Sequence, residues 1–202
     1  MKKTTGRVQP FDRENPLKQF SGKLIVREGS PKFPPSVAKT MLDLALKGKT
    51  LATIHDPFLG SGVIPIVAYL NYQSQIQKIY GQDISREAVA SAKLNMEQIG
   101  ANPSTYSFTT GNSLVSPFPN EKDLLIVTDP PFGRACDWIG VDGNSTPVCL
   151  LEEFVKKAAR AKIREIVLCF DQRAKVANQL RNHYQIKERI DLKDRTLYHL
   201  VI

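Results

Sequence analysis

Two aspartates in this 202-residue chain stand where an apolar run gives way to a turn. Asp56 opens Asp56-Pro57-Phe58-Leu59-Gly60-Ser61-Gly62, directly after Leu51-Ala52-Thr53-Ile54-His55. Asp129 opens Asp129-Pro130-Pro131-Phe132-Gly133, directly after Leu124-Leu125-Ile126-Val127-Thr128. At the first turn, Gly60 and Gly62 allow the backbone to approach a ligand more closely than any side chain would permit. The helix that follows would aim free N–H groups and a partial positive charge at that ligand. Many nucleotide-binding folds carry a turn of this kind. Phosphate binding through a GxxxxGK[ST] loop is excluded, because no Lys follows Gly62. Asp83 and Asn112 close two further runs, and open α/β sheets bind ligands outside the carboxyl ends of their strands. Four polar strand ends on one rim would make a site.

The elements that must position these residues are legible from periodicity and breakers. Residues 1–20 carry Pro10, Pro16 and scattered charges and read as irregular; Lys23–Arg27 reads as a short strand. After Pro31, Pro34 and Pro35, apolar Val37, Met41, Leu44 and Ala45 predict a helix from Ser36, with Gly48 as its stop. The run before Asp56 is the first strand, and Val63–Leu70 is a helix with Pro65 tolerated in its first turn. Lys78–Ile84 is the second strand, and Ser85 caps a helix whose apolar face is Val89, Ala92, Met96 and Ile99. Tyr106–Thr110 and Leu124–Thr128 are strands three and four. Residues 133–147 read as a long loop at the site. Pro147 starts a helix with Leu150, Leu151, Phe154, Val155 and Ala158 on one face, and Ile166–Phe170 is the fifth strand. A polar helix over about Lys175–Asn182 precedes two final strands joined at Lys193-Asp194-Arg195. Such alternation predicts a mostly parallel sheet covered on both faces. Residues 1–21 are expected to form a flexible basic arm, and 22–202 a single domain.

The formal net charge is +8, and residues 1–40 hold nine Lys/Arg against three Asp/Glu. The excess sits towards the N-terminus, as in arms that bind nucleic acid. Cys136, Cys149 and Cys169 lack CxxC spacing, so neither a zinc site nor a disulfide framework is expected, in keeping with a reducing cytoplasm. No metal cluster or nucleophile triad is visible. No apolar run is long enough to span a bilayer, and no signal peptide is read at the start.

A strand ending in Asp-Pro-Phe-x-Gly-x-Gly, followed downstream by one ending in Asp-Pro-Pro-aromatic, resembles the S-adenosylmethionine (SAM) dependent methyltransferases that act on amino groups of nucleic acids. The resemblance implies an α/β Rossmann-like fold with a mostly parallel seven-stranded sheet and an antiparallel C-terminal strand, the seventh strand inserting between the fifth and sixth. It implies SAM as cofactor. Asp56, Pro57, Phe58, Gly60, Ser61 and Gly62 would hold its methionine part, Asp83 its ribose hydroxyls, and Ile84, Asn112 and Ser113 its adenine. Asp129, Pro130, Pro131 and Phe132 would be catalytic. An aromatic amine is a poor nucleophile because its lone pair is delocalised into the ring. The Asp129 carboxylate and Pro130 carbonyl can accept its two N–H bonds, turn the lone pair toward the methyl carbon, and stabilise the developing charge. Phe132 would stack on the base. Gly133, Arg134 and Trp138 would contact substrate, and Arg173 and Lys175 are further candidates for phosphates.

The frame Phe33-Pro34-Pro35-Ser36, Thr128–Gly133, the Trp138 loop and Asp171 resembles the avilamycin-resistance ribosomal RNA methyltransferase family. That resemblance implies methylation of guanine N2 in large-subunit ribosomal RNA, a role in rRNA processing and antibiotic resistance, a monomeric enzyme and RNA as partner. The competing readings are a DNA adenine-N6 or cytosine-N4 enzyme with a partner recognition subunit, and a catalytically silent RNA-binding module.

Overall fold

A computed structural model of the protein describes residues 33–131 and 146–202. The expected arm, the Lys23–Arg27 strand, and Phe132, Gly133, Arg134 and Trp138 lie outside the described residues. Within them the order is α1 (Pro35–Leu46), β1 (Ala52–Asp56), α2 (Val63–Tyr72), β2 (Ile76–Asp83), α3 (Arg86–Gln98), β3 (Tyr106–Thr110), β4 (Leu124–Thr128), α4 (Pro147–Arg160), β5 (Glu165–Asp171), α5 (Ala177–Arg181), β6 (Gln185–Asp191) and β7 (Arg195–Val201). The local signals act as expected. Ser85 Oγ accepts from Ala88 N to cap α3, and Thr146 Oγ1 accepts from Cys149 N ahead of Pro147 in α4.

The strands form one sheet in the order β3-β2-β1-β4-β5-β7-β6. The first five in that row pair in parallel; β7 is antiparallel to both β5 and β6. The expected mostly parallel sheet with an inserted, reversed seventh strand is therefore present. All five residues of β1 and all five of β4 are buried, which is why both read as unbroken apolar runs. Alternate residues serve opposite faces. Leu125 and Val127 join a core with Met41 and Leu42 of α1, Val67 of α2 and Met96 of α3, while Leu124 and Ile126 pack with Leu151 and Phe154 of α4.

Chain order reverses between β1 and β4, whose ends carry Asp56 and Asp129. This is the switch point at which a sheet of this kind opens a crevice.

Three local boundaries differ from expectation. Strand β2 starts two residues earlier, at Ile76, and leaves Ile84 just outside it. The helix expected over 175–182 is only Ala177–Arg181. The residues before it are spent on a turn, in which Arg173 N donates to Asp171 Oδ1 and Ala174 N to Asp171 O. The final turn occupies 192–194, not 193–195. Leu192 packs against the core and its N–H donates to Arg195 O at 2.7 Å, so Arg195 is drawn into β7 opposite Asp171.

Candidate active site

Asp56 ends β1 with 1% of its surface exposed. Its Oδ1 accepts from Thr128 Oγ1 of β4 at 2.7 Å and from Phe58 N at 3.2 Å. Burial pushes its carboxyl up to about 7, opposed by those two hydrogen bonds and helped by the negative charges of Asp129 and Asp83. Pro57 is buried behind it, and the Phe58 ring turns inward to meet Phe154 edge-on at 5.1 Å. Phe58 therefore packs the loop onto the core, and it is the backbone here that faces the rim.

The glycine turn is held from two sides. Gly60 N donates to Asp83 Oδ2 at 2.8 Å, Leu59 N to Gln82 O at 2.9 Å, and Asn95 Nδ2 of α3 to Ser61 O at 2.9 Å. Gly60 (φ 50°) and Gly62 (φ 80°) are both left-handed. A Cβ on Gly60 would meet nothing within 4 Å, so that position opens onto free space, whereas one on Gly62 would sit 3.0 Å from Ala92 Cβ. Gly62 is the N-cap of α2 and no side chain caps that helix. Among the described residues, its first N–H groups therefore have no side-chain cap, the condition under which a helix terminus can bind an anion.

Asp83 spends both oxygens on backbone, Oδ2 on Gly60 N and Oδ1 on Ser85 N at 2.9 Å. It thus ties the second strand end to the glycine turn. Ile84, next to it, is 43% exposed, an apolar surface beside a polar rim. Asn112 follows β3 and accepts Leu114 N on its Oδ1 at 2.9 Å, the local turn that favours Asn there. Ser113 is buried and its hydroxyl donates to Pro57 O, joining the β3 loop to the β1 loop. Lys157 of α4 braces that loop from below, donating to Ser113 O at 2.8 Å and to Ser116 O.

Asp129 leaves β4 beside Asp56, followed by buried Pro130 and partly exposed Pro131. Arg195 Nη1 of β7 lies 2.8 Å from both Asp129 carboxylate oxygens. Burial pushes the Asp129 carboxyl up to about 6; the Arg195 charge and hydrogen bond, with a hydrogen bond from the Cys169 thiol, hold it down, and Asp194 raises it slightly. His55, within β1, is a core residue as its sequence context suggests: burial pushes its imidazole down to about 3, so it stays neutral.

The family model for UPF0020, the RMKL-like methyltransferase domain, matches residues 26–195. The chain belongs to this family. The methyltransferase domain is 33% identical over 103 residues to the tRNA (guanine(10)-N2)-dimethyltransferase of Pyrococcus abyssi, a match covering 51% of this chain and 29% of the relative. It therefore spans less than a third of that curated relative. Among solved structures it resembles the rRNA methyltransferase aviRa from Streptomyces viridochromogenes, with a TM-score of 0.67 at 18% identity over 88% of each chain. TrmN from Thermus thermophilus gives 0.66 at 18% identity, over 84% of this chain and 49% of that one. At such identities the structural likenesses establish the fold. The expected relation to the Rossmann-like methyltransferases, the avilamycin-resistance enzyme's fold among them, is met by the domain.

The fold brings Asp56, Gly60, Gly62, Asp83, Ile84, Asn112 and Asp129 of the methyltransferase domain to one rim. Four residues to which the sequence assigned no role in the site also serve it: Thr128, Asn95, Lys157 and Arg195. Thr128 was in plain view, a hydroxyl ending an otherwise apolar strand, and Asn95 interrupts the inner face of α3 as a fully buried amide. Nothing in the local sequence marks Lys157 or Arg195.

Proposed function

We propose that this domain transfers a methyl group from SAM to the exocyclic N2 amine of guanine in RNA. The observation that carries the reading is the Asp129-Pro130-Pro131 turn at the switch point, beside Asp56 and the open glycine turn. The residues fit the cofactor. Gly60 faces free space, the amino end of α2 lacks a side-chain cap, Asp56 in its ionised form can receive an ammonium, and exposed Ile84 offers an apolar face to an adenine. When bound, SAM supplies the electrophilic methyl group. Asp56, Pro57, Phe58, Gly60, Ser61 and Gly62 would hold its amino-acid part, chiefly through backbone; Asp83 would serve the ribose, and Ile84, Asn112 and Ser113 the adenine. The hydrogen bonds to Asp56 converge on Oδ1, leaving Oδ2 for the ammonium.

The acceptor side follows from the chain's own groups. With its carboxyl near 6, Asp129 is mostly ionised at neutral pH and accepts one amine N–H. The Pro130 carbonyl accepts the second, and Pro131 has no N–H with which to compete. As the amine gains positive charge, both contacts strengthen, so they lower the barrier more than they tighten binding. Phe132, Gly133, Arg134 and Trp138 follow directly in sequence and are proposed to hold the base and its neighbours.

We take large-subunit ribosomal RNA as the substrate, on the likeness to the avilamycin-resistance family, and a cytoplasmic monomer as the working form. A second reading, tRNA, is favoured by the 33% identity to the tRNA enzyme. Incubation with labelled SAM and separate pools of rRNA, tRNA and DNA, followed by nucleoside analysis, tests all of this. The expected product is N2-methylguanosine in rRNA. Label in tRNA supports the second reading, and N6-methyladenine or N4-methylcytosine in DNA would overturn the guanine assignment. Asp129→Ala should lower methyl transfer by about 10²–10³ with SAM affinity unchanged.

A further inference from the structure

Arg195 is the first residue of β7, the one reversed strand, and pairs across the sheet with Asp171 of β5. Reversal brings its side chain to the same rim as the carboxyl ends of β1 and β4. Its Nη1 reaches both oxygens of Asp129 at 2.8 Å, with the two side chains only 12% and 19% exposed. The Phe33 ring lies 5.3 Å from the guanidinium carbon, and Cys169 Sγ is 4.0 Å from Nη1. The guanidinium is thus contacted by the carboxylate, an aromatic ring and a thiol.

We propose that Arg195 is a positioning residue for the methyl acceptor: it keeps the Asp129 carboxylate ionised and fixes its plane, so that a lone pair and not a hydroxyl meets the amine. This rests on the reading that Asp129 faces that amine. A buried carboxylate with no cation beside it takes up a proton near neutral pH, and a protonated Asp then offers a donor where an acceptor is required. One nitrogen shared between two oxygens also restrains rotation of the carboxylate about its own bond. Among the described residues, the charged and titratable groups besides Arg195 that bear on Asp129 are Cys169 of β5, Asp194 of the final turn and, across the switch point, Asp56 of β1. Arg195 is the cation among them. An Asn at position 129 would accept without needing to be ionised, so its dependence on Arg195 should vanish.

The test measures single-turnover methyl transfer to rRNA from pH 5 to 9 for wild type, Arg195→Met, Arg195→Lys, Asp129→Asn and the double variant. Carbon-13 titration of the Asp129 carboxyl reads its ionisation directly. In Arg195→Met the acid limb of the rate and the carboxyl titration should both move up by about one to two pH units. The rate at pH 7 should fall by about two- to tenfold and recover in part at pH 9. SAM affinity by calorimetry should not change. Arg195→Lys should restore the limb but not the full rate, since a flexible ammonium lacks the planar group that packs beside the Phe33 ring and so fixes the carboxylate less firmly. In the Asp129→Asn background, loss of Arg195 should cost less than about threefold. The carboxyl titration and thermal unfolding separate these effects from misfolding. An active wild type whose acid limb and carboxyl titration are unmoved by Arg195→Met would overturn the assignment alone, as would an equal loss in the Asp129→Asn background. A wild type inactive on every nucleic acid would remove the proposed function and this role with it.

Discussion

Asp56 and Asp129 are close in space and differ in company. Asp129 has a cation on both oxygens and its carboxyl is raised to about 6; Asp56 has a hydroxyl and an amide on one oxygen and rises to about 7. For Asp56 the sign follows directly. Its folded value lies above the ordinary aspartate value of about 4, so between about 4 and 7 the folded state binds more protons than the unfolded one. Stability from this group is therefore lost as pH rises through that window, and Asp56→Asn should flatten the slope in urea unfolding curves taken at several pH values. Ligand binding runs the other way. If Asp56 receives the SAM ammonium, the carboxylate form is the one that binds. Affinity should then rise with pH by up to about tenfold per unit and level off above the carboxyl's own value. Calorimetry in buffers of different ionisation enthalpy should detect proton release on binding below pH 7. A SAM affinity flat from pH 5.5 to 8.5 would show that Asp56 does not meet the ammonium.

At the scale of elements, the glycine turn shows two different demands for the same residue. Both Gly60 and Gly62 need a left-handed backbone, which costs any other residue about 1–2 kcal/mol. Only Gly62 also faces an obstacle, the Cβ of fully buried Ala92 on α3 at 3.0 Å. Ala92 has no flexible end to move aside, so overpacking of about 1–3 kcal/mol should add to the strain. Gly62→Ala should therefore lower unfolding stability more than Gly60→Ala by at least about 1 kcal/mol, read from urea midpoints at constant slope. Equal losses would mean that α3 can retreat from α2. Asn95 argues against retreat, since its amide bonds Ser61 O and so ties α3 to the turn it packs against.

For the whole molecule, the distribution of charge bears on the partner. Residues 1–40 account for most of the excess of Lys/Arg over Asp/Glu. Phe33, where the described residues begin, lies against Arg195 and hence beside Asp129. The basic segment thus joins the domain next to the proposed site, where cations near the phosphates flanking a target base would be useful. Deleting about the first 20 residues should weaken RNA binding and reduce the slope of log affinity against log salt by about one for each phosphate no longer neutralised. SAM affinity should stay as it was. An unaltered salt slope would make the segment a passive tail. Among the described residues no helix is long and apolar enough to cross a membrane, and no group of three or more His, Cys, Asp or Glu could hold a metal ion.

Most strand ends, helix caps and turn residues are legible in the sequence, because each is set by neighbours a few residues away. Asp56, Asp83 and Asp129 each follow an apolar run, Ser85 precedes an apolar period, and Gly60 and Gly62 answer a local backbone need. Alternating runs and helices also imply the parallel sheet, and with it the shared rim. The partners of those residues were another matter. Arg195 looked like part of a turn, 66 positions from Asp129, and no spacing rule connects the two. Their meeting depends on β7 inserting backwards between β5 and β6, and on Leu192 packing into the core so that the turn closes one residue early. Lys157 under the Ser113 loop and Thr128 on Asp56 arise in the same way, from which strands and helices become neighbours. The chain's local chemistry placed the acids on the rim; burial and sheet order decided which partners each of them meets.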